Sequence, residues 1–397
     1  MSIQLDMLQT MAVGILALLL GDRLNRAVPV LGKICIPAPV TGGIIFSFIT
    51  LFLHSVSGFE IGFDGTLKDI CMIVFFTAVG FQSDLKVLKR GGRPLAVMVI
   101  LVAVLIVFQN LIGVGIAKGI KVDPLIGMAA GSVTMCGGHG TAAGFSSLME
   151  SLGLGSAATV MMAAATFGLL GGSLLGGPLA ESLIRRRNLS VPENSPHGRN
   201  VHHIHPERPR KGTSAYIKAV YEIFIAAGLG TLVSRLLAMT GLSFPTYFGA
   251  LIVAVIIRNC SEYIPACPRM QVPEIADIGT VALSLFLGMA MVSLRLWELS
   301  GLAMPLLLIL AVQLAFMVIF ARFVAFPLLG GDYDAAVLIS GLCGFGLGAT
   351  PNAMANMSAV CDKYSYCETP FIVVPIVGAM FVDVINIAVI SIFLNLL

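Results

Sequence analysis

The chain has 397 residues, of which 57% are hydrophobic and 11% charged, and its net charge is +3. A soluble domain carries about 25% charged residues, so this composition lacks the polar surface to face water on all sides and reads as an all-α polytopic membrane protein. The near balance of charge, with cations in short clusters between apolar runs, argues against a nucleic-acid partner.

Taken in chain order, the apolar runs become long enough to cross about 30 Å of hydrocarbon once flanking small residues are counted. The first, 7–20, has no basic stretch before it and leads into Gly21-Asp22-Arg23 without a small-residue cleavage pattern, so it reads as a membrane helix rather than a cleavable signal. Runs at 40–53, 70–81, 95–116 and 157–184 follow. Residues 185–216, rich in Pro, Asn, His and Arg, form a solvated linker. Beyond it come 217–238, 247–257, 278–292, 302–326 and 371–396. Two stretches, 125–147 and 335–357, hold too many glycines and small polar residues for plain spanning helices. The eight cysteines (Cys35, Cys71, Cys136, Cys260, Cys267, Cys343, Cys361 and Cys367) show no CxxC and read as reduced packing residues.

The halves repeat at an offset of about 210 residues. Ile36-Pro37-Ala38-Pro39-Val40-Thr41-Gly42-Gly43 is echoed by Phe244-Pro245-Thr246-Tyr247-Phe248-Gly249-Ala250. The run ending Ser83-Asp84-Leu85-Lys86 is echoed by one ending Ser293-Leu294-Arg295-Leu296, and Asp123-Pro124 by Tyr333-Asp334. This predicts an N-terminal repeat over 1–184, the linker over 185–216 and a second repeat over 217–397, each with five spans and one glycine-rich excursion. An odd span number inverts the second repeat. With both termini outside, Lys68, Lys118, Lys121, Arg235 and Arg295 fall on the outer side and the remaining nineteen of 24 cations inside, as the positive-inside rule requires. A single crossing by either glycine-rich stretch would destroy that bias, so both are expected to be re-entrant hairpins, the first entering from outside and the second from inside.

The first hairpin reads Gly131-Ser132-Val133-Thr134-Met135-Cys136-Gly137-Gly138-His139-Gly140-Thr141. The second reads Gly341-Leu342-Cys343-Gly344-Phe345-Gly346-Leu347-Gly348-Ala349-Thr350-Pro351-Asn352, with Asn356 beyond. Glycine costs about 1 kcal/mol against alanine inside a helix, so such runs break it. Broken backbone at membrane depth is tolerated where it lines a cavity, its N–H groups suiting anions and its carbonyls suiting cations. Asp383 lies in a membrane helix, where a lone carboxylate costs about 2.5–3.5 kcal/mol, and calls for a sodium ion or a substrate ammonium as partner. Gln109, Asn110 and Gln313 suit interhelical hydrogen bonds. Cys136 and His139 form a single C-x-x-H with no second pair nearby, which argues against a metal centre other than Na⁺. No nucleophile–base constellation, P-loop or dinucleotide fingerprint is present, so neither enzyme chemistry nor a cofactor is expected.

At these hairpins the sequence resembles the bacterial sodium/glutamate symporter family. Supporting stretches are Ile36–Gly43 (IPAPVTGG), Leu294-Arg295-Leu296-Trp297-Glu298-Leu299, Val373-Val374-Pro375-Ile376-Val377-Gly378 and Phe381-Val382-Asp383-Val384-Ile385-Asn386. Resemblance implies Na⁺-coupled uptake of L-glutamate by elevator-like alternating access, a homodimer, and a place in the bacterial inner membrane. On that reading the substrate is held by Gly137, Gly138, His139, Gly140, Thr141, Gly346, Gly348, Thr350, Asn352, Asn356 and Asp383. Sodium is held by Ser132, Thr134, Cys343, Gly344, Asp383 and Asn386. Departures from the family pattern fall at Cys136, Phe145 and Asn352, where serine, tryptophan and threonine are usual. Two alternatives stay open from the residues: a Na⁺-coupled carrier of another small carboxylate, and an ion channel.

Overall fold

The computed structural model describes residues 2–28, 36–84, 92–189, 213–239, 245, 247–261, 270–299 and 301–397. Cys35, Cys267, Lys33, Lys86, Lys89, Arg90, Phe244, Thr246 and the linker's His197, His202, His203 and His205 lie outside the described residues.

A short strand β1 (Ser2–Leu5) leads into α1 (Met7–Ala27). Asp6 caps this helix by accepting from the Gln9 N–H at 2.8 Å, while Gln9 accepts from the Asp6 N–H at 3.0 Å. The helix α2 (Ala38–Ser57) starts after Pro37 and stops at Gly58, whose φ of +63° suits only a residue without a side chain. Strand β2 (Glu60–Phe63) pairs in parallel with β1, Ser2 opposite Glu60. This two-stranded element was absent from the sequence reading, because four-residue strands carry too little alternation to register.

Next come α3 (Thr66–Gln82), α4 (Gly92–Gly119), α5 (Pro124–Ala129), α6 (Gly138–Ser151) and α7 (Ala157–Arg186). The second half holds α8 (Thr213–Ala238), α9 (Phe248–Ser261), α10 (Val272–Val292) and α11 (Ala303–Leu328). It ends with α12 (Tyr333–Gly346), α13 (Thr350–Lys363) and α14 (Glu368–Leu394). Helix α14 is interrupted by a π turn at Val377–Phe381, two residues after Pro375 has removed one backbone donor.

Each expected apolar run coincides with a helix. Among the described residues eight of these, α1, α2, α4, α7, α8, α10, α11 and α14, are long and apolar enough to cross a membrane. The runs 70–81 and 247–257 fall on α3 and α9, of 17 and 14 residues, shorter than the ~20 residues of a full span. These two are tied at their ends: Arg258 pairs with Asp84 at 3.1 Å, and the Asn259 amide donates to the Ser83 carbonyl at 2.8 Å.

Packing divides the helices into two groups. In one, α1 packs on α2 and α10, α3 on α9 and α10, and α8 on α9. In the other, α7 packs on α6, α12 and α13, and α4 on α5, α11 and α14. Glycine allows close approach within each group. Gly21 of α1 lies against the Ala38 carbonyl of α2, and Gly168, Gly172 and Gly176 form a ridge of α7 against α12 and α13. The groups meet where α6 touches α10, and where α3 touches the π turn of α14 through a Ser83 hydroxyl donating to the Met380 carbonyl at 3.1 Å. An aromatic stack of Phe76 on Tyr247, centroids 3.9 Å apart, presses from the first group on Phe145 and Gly144 of α6.

Candidate functional site

Both glycine-rich stretches fold as a helix, a break and a second helix. The first runs from α5, whose N-terminus Asp123 caps by accepting from the Leu125 N–H at 2.8 Å, through turns at 130–137 into α6. The second runs from α12 through 347–349 into α13, with Pro351 in its first turn, where a missing N–H costs nothing. The breaks meet. Gly138 has a φ of +57°, and a Cβ there would stand 2.6 Å from the Gly348 carbonyl oxygen. Two helix N-termini, those of α6 and α13, are therefore brought to one place, with the positive ends of their dipoles together.

Beside that meeting point is a cavity of about 210 Å³. The second group contributes Cys136, Gly137, Gly138, His139, Gly140 and Thr141 from the first break, Gly348, Ala349, Thr350 and Pro351 from the second, and Gly378, Val382 and Asp383 from α14. The first group closes it with Pro37, Phe75, Leu283 and Leu287. Gly378 belongs to the π turn and abuts Thr350, whose Oγ1 would be 2.6 Å from a Cβ at 378. The π turn thus lets α14 pass close to the second tip and present Asp383 beside it. Among the described residues no cation pairs with Asp383.

Of the residues expected to hold substrate, Gly137, Gly138, His139, Gly140, Thr141, Gly348, Thr350 and Asp383 line the cavity. Gly346, Asn352 and Asn356 stand behind it. The Gly346 carbonyl accepts from Gln109 Nε2 at 2.8 Å, Asn352 Nδ2 donates to the Leu169 carbonyl at 3.0 Å, and Asn356 Nδ2 donates to the Gly172 carbonyl at 2.9 Å. The Gly346 carbonyl thus ties the second hairpin to α4, and the two asparagine amide nitrogens tie it to α7.

Of the residues expected around sodium, Ser132, Thr134 and Asn386 gather next to the first break, and Asp383 lines the cavity. The Ser132 N–H donates to Asn110 Oδ1 at 2.8 Å, its carbonyl accepts from Asn386 Nδ2 at 3.0 Å, and the Thr134 hydroxyl donates to the Ala129 carbonyl at 2.8 Å. Ser132 Oγ, Thr141 Oγ1 and Asn386 Oδ1 are buried with no hydrogen-bond partner, and Gly137 touches both Thr141 and Asn386. Such orphaned groups cost about 1–3 kcal/mol each, and Asn110 Nδ2, on the amide that holds Ser132, is likewise without a partner, which marks this corner as short of polar partners. Cys343 and Gly344 sit apart from it, buried where α12 meets α7 and α13.

Sequence reasoning missed the α7 ridge, although its glycines recur every four residues, and it missed Thr166, Phe75, Leu283, Leu287 and the π turn. The apolar cavity walls carry no signal that separates them from ordinary packing. Gln313 Nε2 donates to the Gln109 carbonyl at 2.7 Å, so Gln109, Asn110 and Gln313 do bond between elements.

A multi-pass helical membrane protein with a small chamber, apolar-walled and set with a few polar groups, where two broken helices meet at the junction of two helix groups, has the form of a solute carrier. The family described as "Sodium/glutamate symporter" matches residues 3–366. A protein named "Sodium/glutamate symporter" from Escherichia coli (strain K12) is 42% identical over 396 residues, covering 99% of this chain and 98% of the relative. One of the same name from Haemophilus influenzae (strain ATCC 51907 / DSM 11121 / KW20 / Rd) is 40% identical over 402 residues, with 99% and 98% covered. The chain belongs to the sodium/glutamate symporter family, a family of transporters rather than enzymes.

Proposed function

We propose that the protein takes up L-glutamate together with Na⁺. The observation that carries this reading is the convergence of two helix N-termini and Asp383 on one cavity. The N–H groups of His139, Gly140, Gly348 and Thr350, which unlike those of Gly137, Gly138, Thr141 and Ala349 are not donated to backbone carbonyls, suit the two carboxylates of glutamate, and Asp383 suits its ammonium. Ser132, Thr141 and Asn386, with nearby carbonyls, offer Na⁺ the neutral oxygens it favours, Thr134 holds the backbone of the first break, and Cys343 and Gly344 pack the second hairpin against α7 and α13.

Long and broken helices follow one another in the same order on either side of the linker, α1–α7 before and α8–α14 after. That order supports an N-terminal repeat over 1–184 and an inverted one over 217–397, with both breaks re-entrant, both termini outside and the 185–216 linker cytoplasmic. The sparse contact between the two groups supports an elevator. The group bearing both breaks slides against the other, which forms the homodimer scaffold in the bacterial inner membrane.

Energetics set the coupling. One charge crossing 100 mV is worth about 2.3 kcal/mol and a tenfold Na⁺ gradient about 1.4 kcal/mol. A single Na⁺ with a monoanionic glutamate is electroneutral and leaves only about 1.4 kcal/mol, or tenfold accumulation. Two Na⁺ supply about 5.1 kcal/mol, nearly four decades. The ratio is therefore two or more. The test is uptake of labelled L-glutamate into proteoliposomes with and without a Na⁺ gradient, with aspartate, glutamine and citrate as competitors. Voltage-sensitive, Na⁺-dependent uptake blocked by unlabelled glutamate is expected. Preferential block by citrate, or flux far above carrier turnover, would replace the reading by a carboxylate carrier or a channel.

A further inference from the structure

We propose that Thr166 fixes His139 as the Nε2–H tautomer, so that its bare Nδ1 faces the cavity as an acceptor selecting substrates that carry an ammonium group. This rests on the reading of the cavity as an amino-acid site and names a positioning residue for it.

Thr166 lies on α7, outside both breaks. Its Oγ1 is 2.8 Å from the Met162 carbonyl oxygen and 3.0 Å from His139 Nε2. Two oxygens at 2.8 Å need a proton between them, and a carbonyl has none to give, so the single hydroxyl proton of Thr166 points at Met162. Toward the imidazole Thr166 then offers only a lone pair, and Nε2 must carry the hydrogen. In the neutral ring Nδ1 is the accepting nitrogen. His139 is 5% exposed and lines the cavity, and with Nε2 turned to α7 its remaining polar atom is Nδ1.

The cavity therefore offers two acceptors, Asp383 on α14 and His139 Nδ1 in the first turn of α6, beside two donor-rich helix N-termini. An α-amino dicarboxylate satisfies both sets. A dicarboxylate without nitrogen, such as glutarate, leaves both acceptors without a donor and brings its own charge toward Asp383.

The experiment uses the full-length protein in lipid. Nitrogen-15 NMR of labelled histidines, with His139 assigned by its loss in His139→Asn, reads the tautomer directly, and competition binding measures glutamate against glutarate. Wild type and Thr166→Ser should show protonated Nε2 and bare Nδ1. Thr166→Val should lose that bias and weaken glutamate binding about tenfold, the worth of one charge-assisted hydrogen bond, with glutarate unchanged and Ser restoring the wild-type ratio. A wild-type ring protonated at Nδ1, or a Thr166→Val protein whose glutamate-to-glutarate ratio stays at the wild-type value, overturns the proposal. If wild type binds no glutamate at all, the amino-acid reading itself fails, while the tautomer is still read.

Discussion

The two helix breaks reach one meeting point by different means. The first uses eight residues of turn, 130–137, hung from α4 by Asn110 and from α14 by Asn386, and it leaves Ser132, Thr141 and Asn386 with oxygens that no protein group satisfies. The second turns in three residues, 347–349, and is clamped: Asn352 and Asn356 donate to α7 carbonyls, the glycine ridge of α7 lets the hairpin lie flat on it, and one oxygen, Asn352 Oδ1, is left without a partner against three at the first. A loosely hung tip with surplus acceptors suits an incoming cation, whereas a clamped tip supplies rigid N–H groups. Similar glycine-rich sequences thus serve separate parts of one site.

The largest effect should come from striking what both breaks share. Gly138→Ala places a Cβ in a left-handed backbone and against the Gly348 carbonyl, which together cost about 3 kcal/mol, and uptake should fall by about two orders of magnitude. Gly58→Ala, with a φ of +63° and nothing within 4 Å of its Cβ, pays only for the backbone and should leave uptake near normal. Asp383→Ala should weaken Na⁺-dependent glutamate binding at least about tenfold; unchanged binding and uptake would take Asp383 out of the site.

Smaller changes separate the breaks. Asn386→Ala should raise the Na⁺ concentration for half-maximal uptake about tenfold while maximal uptake survives, since it removes an unsatisfied oxygen beside the first tip. Asn352→Ala should lower thermal stability by about 1 kcal/mol, the worth of its bond to the Leu169 carbonyl, and shift Na⁺ dependence less than Asn386→Ala does, because its own unpartnered Oδ1 lies at the second break, away from Ser132 and Thr141. The reverse pattern would show that the two breaks have their roles exchanged.

The helices and both breaks were legible because membrane helices must be apolar and glycine runs must break them, two constraints that act locally. Gly137–Thr141, Gly348, Thr350 and Asp383 could be chosen for the same reason. For Asn352 and Asn356 the sequence did not reveal that their amide nitrogens meet α7, because a side-chain amide reads alike whether it meets a ligand or the back of a neighbouring helix. Which it meets is decided by α7, nearly two hundred residues earlier in the chain. Thr166 was invisible because its role depends on a ring 27 residues away, and the π turn because no residue type demands it.

The most direct test of a shared site is a density map of the protein in lipid with L-glutamate and Na⁺. A solute wedged between Gly138–Thr141, Thr350 and Asp383, with ion density beside Ser132 and Asn386, is the predicted result. Solute bound elsewhere, or residues 130–137 and 347–349 drawn out into continuous helix with no chamber between them, would contradict the account.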